Sequence, residues 1–183
     1  MGAIEVVLGD ITRENVDAIV TAANESLLGG GGVDGAVHRA AGPRLAEAGA
    51  ALAPCLPGRA VATPAFDLAP VRYVIHTVGP VWEGGDHGED EVLARCYVNS
   101  LLVAEELGVE SIAFPAIATG VYGFPLDRAA VVAADAVRST PSTVGEIRLV
   151  AFDRETHDAL RDALARPIGV RRGEEPPVDR QPG

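Results

Sequence analysis

The sequence predicts an α/β protein folded as a three-layer α/β/α sandwich. Short apolar runs typical of strands alternate with longer segments of helical apolar spacing, which favours helices on both faces of a largely parallel sheet. Early in the chain, strand-like runs follow one another without an intervening helix. That succession favours a mixed sheet over a purely parallel one.

The predicted elements account for most of the chain. Strand-like runs lie at residues 4–8, 18–22, 59–63, 71–77, 111–114 and 147–152. Helical spacing occurs at residues 35–41, 44–53, 90–107, 126–139 and 154–165. We therefore predict one domain over residues 1–165. Residues 166–183 are rich in Pro, Gly and charge, and we predict a loosely ordered tail there.

Length and cysteine content indicate a small intracellular protein. A chain of 183 residues forms one domain, or two at most, and is long enough to bury a core. The N-terminus lacks the pattern of a signal peptide, and no apolar run reaches the roughly 20 residues of a membrane span. We interpret Cys55 and Cys96 as reduced thiols. These features predict a cytoplasmic location.

The charge composition limits the possible partners. All 15 basic residues are arginines, which with abundant Ala, Val and Gly indicates a GC-rich bacterial genome. Without lysine there is no Walker or Schiff-base lysine. The net charge of -11 argues against broad binding to nucleic acid or acidic membranes. One anionic ligand remains compatible with it, because backbone N–H groups can bind a diphosphate without a basic side chain.

A glycine-rich loop is the most informative segment. Asn24 follows a buried strand, residues 29–32 are four consecutive glycines, and Asp34 lies where a short helix begins. Such a loop can turn successive N–H groups toward one anion, and the helix N-terminus adds partial positive charge. The segment therefore predicts a phosphate or diphosphate ligand.

The same loop matches the dinucleotide-binding pattern G-x-G-x-x-G at residues 30–35. That fold also needs a second strand ending in an acid roughly 20 residues further on. Here that position falls in an alanine-rich helical stretch. We therefore reject the dinucleotide-binding interpretation.

Three motifs are predicted to meet at one cleft. Asn24 and the glycines follow the second strand, residues 116–123 follow the fifth, and Asp153 follows the sixth. In open α/β sheets, ligands bind outside the carboxyl ends of the strands. The topology by itself therefore predicts a shared binding site.

Five ordered motifs make the chain resemble a known family. They are Gly9-Asp10-Ile11, Ala22-Ala23-Asn24, the loop and helix at residues 29–42, Ile75-His76-Thr77-Val78-Gly79-Pro80 and Thr119-Gly120-Val121-Tyr122-Gly123. Over residues 3–165 the sequence resembles the macrodomains, and among them the MacroD-like ADP-ribose hydrolases. The resemblance implies a six-stranded mixed sheet flanked by helices.

The resemblance also implies two catalytic residues. Asp34 would be the main one, although an aspartate at a helix start is otherwise read as an N-cap. Asn24 would orient the distal ribose, although it could instead cap a turn. From its helix-terminal position we expect a low pKa for Asp34, which suits orienting a water better than taking its proton. Thr21 stands where the family usually has asparagine.

The remaining predicted site residues would bind ADP-ribose. By resemblance, Asp10 accepts a hydrogen bond from the adenine, Ile11 backs it, and Phe152 stacks on it, although Phe152 would by default be a core residue. The two glycine loops would hold the diphosphate and distal ribose. The other ligand-binding residues implied are Ala22, Gly30, Gly31, Gly32, Val33, Ala118, Thr119, Gly120, Val121 and Tyr122. Ala118 replaces a commoner serine.

Metal and serine-esterase chemistry find no support in the pattern. The four histidines show no ligand spacing, so we predict no metal site and no cofactor. We interpret His38 and His76 as structural, and residues 86–90 as a solvated loop and helix cap. No G-x-S-x-G nucleophile motif is present.

The resemblance implies a function and one main alternative. It implies a hydrolase that removes mono-ADP-ribose from acidic side chains of proteins and deacetylates O-acetyl-ADP-ribose. We expect the protein to be a monomer. The alternative is an ADP-ribose reader without catalysis, in which the pair formed by Asn24 and Asp34 is commonly missing. A nucleic-acid-binding role is disfavoured by the net charge. The expected partners are ADP-ribose and ADP-ribosylated proteins.

Overall fold

A six-stranded sheet forms the centre of the protein. The structure is a computed structural model and describes residues 2–169. Its strands are β1 (Ala3–Leu8), β2 (Ala18–Ala23), β3 (Ala60–Pro64), β4 (Tyr73–Val78), β5 (Ser111–Phe114) and β6 (Glu146–Ala151). Its α-helices are α1 (Gly32–Ala41), α2 (Arg44–Leu52), α3 (Glu89–Glu106), α4 (Leu126–Ser139) and α5 (Arg154–Leu164). None of these helices is long and apolar enough to cross a membrane.

The sheet is mixed, as predicted. β3 pairs antiparallel with β4, whereas the pairs from β1 through β6, β5 and β2 to β4 are all parallel. The carboxyl ends of β1, β6, β5 and β2 therefore lie side by side at one edge. The predicted α/β/α sandwich with a six-stranded mixed sheet is confirmed.

Successive residues of β2 pack on opposite faces of the sheet, because side chains alternate along a strand. Val20 belongs to the core beneath α3, α4 and α5, and Ile19 to the core beneath α1. Both side chains are fully buried. This alternation places Thr21 on the same face as α1.

The structure corrects the predicted start of the first helix and describes only the beginning of the predicted C-terminal tail. Helix α1 begins at Gly32 rather than Gly35, because its N-cap is Gly31 and the fourth glycine already belongs to the first turn. Asp34 is consequently a first-turn residue and not an N-cap. At the other end of the chain, Arg138 of α4 donates to the carbonyl of Arg166 at 2.6 Å. Residues 170–183 of the predicted tail lie outside the described residues.

Candidate functional site

A cleft of about 760 Å³ opens at the carboxyl ends of the parallel strands. Loops that follow β1, β2, β5 and β6 line it. All of the predicted site residues lie on its walls: Asp10, Ile11, Ala22, Asn24, Gly30, Gly31, Gly32, Val33, Asp34, Ala118, Thr119, Gly120, Val121, Tyr122 and Phe152. The individual contacts of these residues with a ligand remain predictions.

The glycine loop leaves space where side chains would otherwise stand. A Cβ added at Gly31 or Gly32 would meet no atom within 4 Å. Gly32 also has a φ of +58°, in the left-handed region that favours glycine. A Cβ at Gly30 would lie 3.5 Å from Nδ2 of Asn24 and 3.6 Å from Oδ2 of Asp34. The loop thus provides open backbone for an anion directly beside these two side chains.

Asp34 is a buried carboxylate with two unequal oxygens. Oδ1 accepts a hydrogen bond from the Thr21 hydroxyl at 2.9 Å and lies 3.6 Å from Nε2 of His38. Oδ2 is buried and has no hydrogen-bond partner among the described residues. A buried acceptor without a partner is uncommon and calls for a functional explanation.

The low pKa expected for Asp34 is wrong in direction. Burial raises the pKa of this carboxyl, and the hydrogen bond from Thr21 and the charge of nearby His38 offset the rise only in part. Desolvation disfavours the ionised form and is the largest cause of the shift. A raised pKa makes Asp34 a stronger base than predicted, better able to take a proton from water.

Asn24 is held by its own turn. Its Oδ1 accepts from the backbone N–H of Ser26 at 3.1 Å and from the Ser26 hydroxyl at 2.5 Å. Its Nδ2 donates to the carbonyl of Gly29 at 3.3 Å. The turn-capping role is therefore present. An amide carries two donor hydrogens, so one N–H of Nδ2 remains beyond these contacts.

The late glycine loop is tightly turned. Gly123 N–H donates to the carbonyl of Gly120 and Phe124 N–H to that of Ala118, both at 3.0 Å. Ala118 has a φ of +67°, which costs energy for a residue other than glycine. Val121 is fully exposed at the tip. A strained backbone conformation of this kind persists only where the surrounding structure enforces it, and neighbouring residues do hold this loop in place.

The support comes from the segment between β4 and α3. Trp82 N–H donates to the carbonyl of Tyr122 at 2.8 Å, and the Trp82 ring packs on Phe124 with centroids 4.8 Å apart. The Arg128 guanidinium stacks over Trp82 at 5.0 Å and pairs with Asp90 at 2.8 Å. The wall of the cleft at Tyr122 is thus fixed from behind.

Residues 86–88 are exposed and Gly88 is the N-cap of α3, as the interpretation of residues 86–90 as a solvated loop and helix cap expected. Glu89 departs from that interpretation, because it is buried and orders the supporting segment. Its buried carboxylate accepts hydrogen bonds from the backbone N–H groups of Glu83, Gly85 and His87, at 2.6 to 3.0 Å. Although desolvation opposes ionisation, these donors lower the pKa of Glu89 to about 2. An ionised carboxylate therefore closes the loop behind the cleft.

The predicted adenine end is open and apolar. Phe152 is 81% exposed and follows the last residue of β6, so it is not a core residue. Ile11 is buried. Asp10 accepts from the N–H of Thr12 at 2.9 Å and from its hydroxyl at 2.7 Å, and the hydroxyl bond is the main cause that lowers the Asp10 pKa. An ionised acceptor beside an exposed ring suits an adenine amino group.

Two side chains of α1 near the site were not predicted as site residues from the sequence. His38 lies one helical turn after Asp34, and the i, i+4 spacing could have indicated their contact. Arg39 is the one basic residue on the cleft walls within residues 2–169. Ala116 and Asp153, which the predicted topology placed at the shared cleft, also line it. The lining residues that were not predicted at the site are Gly9, Ala23, Ala36, Gly79, Pro115, Val150 and Thr156.

The described histidines and cysteines form no group suited to a metal ion. His76 is fully buried beside Thr63, whose hydroxyl is 2.9 Å from its Nε2. Burial lowers the pKa of His76 to about 4, so the ring is neutral at physiological pH. Cys55 and Cys96 are buried free thiols, and burial raises the pKa of each.

Comparison with known proteins gives consistent matches. A model of the Macro domain family matches residues 20–133. A curated Macro domain-containing protein of Lactiplantibacillus plantarum is 53% identical over 169 residues, which cover 90% of this chain and 98% of the relative. One of Streptomyces coelicolor is 54% identical over 170 residues, covering 90% and 99%.

Solved structures agree with these relatives. A mutant of the Oceanobacillus iheyensis macrodomain with ADP-ribose matches with a TM-score of 0.86 at 39% identity, over 90% of this chain and 92% of that chain. The Trypanosoma brucei macrodomain in complex with ADP-ribose matches with a TM-score of 0.80 at 36% identity, over 88% and 68%.

Proposed function

Because the chain belongs to the Macro domain family, we propose that it binds ADP-ribose and hydrolyses the bond between the distal ribose and an acyl group. Its substrates would be proteins carrying mono-ADP-ribose on acidic side chains, and O-acetyl-ADP-ribose. It would act in the cytoplasm as a monomer, without a cofactor. The binding part of this proposal draws on the macrodomain structures that contain ADP-ribose.

The observation that carries the catalytic part is the unpartnered Oδ2 of Asp34. A Cβ on Gly30 would lie 3.6 Å from this oxygen and 3.5 Å from Nδ2 of Asn24, and both residues line the cleft. A water held there would donate one hydrogen to Oδ2, while the second N–H of Asn24 would fix a ribose hydroxyl. Positioning of this kind lowers the barrier without a cofactor.

The proposed reaction is attack by that water on the ester-like linkage. The raised pKa of Asp34 favours transfer of the water proton to Oδ2 as the new bond forms. The water oxygen bonds to the acyl carbon, the bond between that carbon and the distal ribose oxygen breaks, and Asp34 returns the proton to the ribose oxygen. The two products are ADP-ribose and the free carboxylic acid. The glycine loop would hold the diphosphate through backbone N–H groups, so that the ribose is placed against the water.

The test is release of ADP-ribose from defined substrates. Glutamate-linked and serine-linked mono-ADP-ribosylated proteins and O-acetyl-ADP-ribose are incubated with the protein, and we expect turnover of the acyl-linked substrates. Asp34→Ala should lose at least about a hundredfold in rate and still bind ADP-ribose. Asn24→Ala should also lose rate, with a smaller effect on binding. Wild-type turnover by Asp34→Ala would contradict the role of Asp34.

A matched control separates this role from loss of a surface charge. Asp67 forms an exposed ion pair with Arg44 at 2.9 Å and does not line the cleft. Asp67→Ala should therefore keep the wild-type rate.

The reader function remains the alternative, and one observation favours it. The Asn24 amide is already engaged with Ser26 and Gly29, as a purely structural turn would require. Under this alternative the wild-type protein would bind ADP-ribose and release none from any acyl-linked substrate. The same incubation thus distinguishes the two functions.

A further inference from the structure

The Thr21 hydroxyl is a buried group for which the reaction outlined above gives no role. Thr21 is fully buried near the carboxyl end of β2, and its hydroxyl donates a hydrogen bond to Oδ1 of Asp34 at 2.9 Å. Asp34 is itself only 3% exposed. This hydrogen bond joins two buried side chains, one on β2 and one on α1. It therefore connects the sheet to the helix that forms part of the cleft wall.

The surroundings of Asp34 leave Thr21 as its principal donor. Within residues 2–169, His38 on α1 is the one titratable group whose charge is a cause of the Asp34 pKa shift, and its Nε2 stands 3.6 Å from Oδ1. His76 on β4 is the register partner of Thr21 and lies with its ring centroid 6.4 Å from that of His38. Because an N–H···O hydrogen bond is shorter than about 3.2 Å, the His38 contact is electrostatic and does not fix the orientation of the carboxyl group.

We propose that Thr21 is a positioning residue that engages Oδ1 of Asp34, so that Oδ2 alone is left free to accept a hydrogen bond from the attacking water. This inference rests on the proposed hydrolysis. A carboxyl group can rotate about its Cβ–Cγ bond, and a single directed donor removes that freedom. The two carboxyl oxygens therefore differ: Oδ1 accepts the hydrogen bond from Thr21, and Oδ2, near Gly30, has no hydrogen-bond partner among the described residues.

Thr21 also differs from the asparagine usual at this position in the family that the sequence resembles. A threonine offers one hydroxyl donor on a β-branched side chain whose χ1 is stiff, and it suits a buried strand. The arrangement at Asp34 therefore depends on one oxygen atom that can be removed without changing the shape of the side chain.

The decisive variants are Thr21→Val, which removes the hydroxyl at nearly constant shape, and Thr21→Ser, which keeps it. A control is Thr77→Val, because Thr77 is equally buried, donates to the carbonyl of Arg59 at 2.7 Å and does not line the cleft. The Thr77 variant reports the cost of losing a buried threonine hydroxyl elsewhere in the sheet. Thermal melts of all three variants establish that each is folded.

The first measurement is hydrolysis of O-acetyl-ADP-ribose. We expect Thr21→Val to lower kcat about tenfold or more, the scale of a lost hydrogen bond to a charged group, with KM and ADP-ribose affinity nearly unchanged. Thr21→Ser should restore most of kcat, and Thr77→Val should keep it. Equal kcat for Thr21→Val and wild type, or no recovery in Thr21→Ser, would overturn the proposal.

The second measurement does not need activity. The Asp34 carboxyl is titrated by carbon-13 NMR in the ligand-free protein. The bond from Thr21 lowers the Asp34 pKa, so its loss in Thr21→Val should move the titration to higher pH, whereas Thr21→Ser and Thr77→Val should titrate near wild type. An unmoved titration in Thr21→Val overturns the role of Thr21. If the wild-type protein were inactive, the hydrolase proposal would fail, and this titration would still decide the role of Thr21.

Discussion

At the scale of single residues, Asp34 combines catalytic suitability with a cost in stability. Its folded-state pKa is raised by burial, so the ionised form is less favourable in the fold than in the unfolded chain. Stability from this group is fully present below its unfolded pKa and is lost as the pH rises through the folded pKa. Residues selected for function commonly carry such a cost.

This sign leads to a prediction for Asp34→Asn. The neutral amide has nearly the same shape and does not lose stability on ionisation, so the variant should melt at a higher temperature than wild type at neutral pH. The difference should shrink as the pH falls toward 3.8, the ordinary pKa of an aspartate side chain. Melting curves across this pH range measure it. A lower melting temperature for the variant at neutral pH would contradict the raised pKa.

The exposed ring of Phe152 gives a second prediction at this scale. Phe152→Ala should weaken ADP-ribose binding by roughly 1–3 kcal/mol through lost stacking on the base. Because the ring would contribute equally to the ground and transition states, KM should rise while kcat stays near wild type. Calorimetry and steady-state kinetics test this together. Because Phe152 is exposed, its replacement by alanine should not disturb folding. A large fall in kcat would therefore mean that the ring does not stack on the adenine, and that the adenine binds elsewhere.

At the scale of secondary-structure elements, the segment between β4 and α3 acts as a brace for the late glycine loop. Glu89 closes the segment through three backbone donors, and Trp82 connects it to Tyr122 and Phe124. The strained backbone at Ala118 lies within the braced loop. The brace therefore fixes a wall that the glycine content alone would leave mobile.

We predict that Glu89→Gln loosens this wall. The neutral amide is a weaker acceptor for three N–H groups, so the ADP-ribose affinity of the variant should fall by several-fold. At neutral pH the wild-type protein should also be more stable against unfolding than the variant. Because the Glu89 pKa is lowered to about 2, that advantage is present above about 4.5 and is lost as the pH falls toward 2. Fluorescence of Trp82, the one tryptophan in the sequence, reports the loop directly. Identical emission and affinity in the variant would contradict the brace.

At the scale of the whole molecule, the negative net charge of the protein disfavours binding of the proposed ligand, which is an anion. The net charge is -11, whereas ADP-ribose is an anion. Favourable contacts must therefore come from local groups: the glycine-loop backbone, the N-terminus of α1 and Arg39. Arg39 is exposed, and its Nη1 lies 3.1 Å from the position of a Cβ on Gly35, close to the glycine loop.

Arg39 should accordingly give a salt-dependent part of the affinity. Arg39→Ala should weaken ADP-ribose binding by up to about 1 kcal/mol at low ionic strength, the scale of an exposed ion pair. The ratio of the variant and wild-type Kd values should approach one as salt is added, because screening removes the same contact. Titrations at several salt concentrations measure this, with Arg44→Ala, outside the cleft, as the control. A ratio independent of salt would exclude a charge contact.

The sequence by itself determined the elements, the mixed sheet and the edge at which the ligand loops meet. These follow from local periodicity, from turn residues and from the rule that parallel strands present their carboxyl ends together. The glycines at residues 29–32 and the position of Asn24 were readable for the same reason, because backbone freedom and strand ends are local properties.

Only the tertiary structure decided the electrostatic state and the support of the cleft. The Asp34 pKa depends on burial and on Thr21, which comes from a different element, so a local helix-terminus argument gave the wrong direction. From the sequence we interpreted Glu89 as part of a solvated loop and helix cap. In the folded protein, three backbone N–H groups donate to its carboxylate. Desolvation and hydrogen bonding arise from contacts between distant parts of the chain, and a linear pattern does not record them.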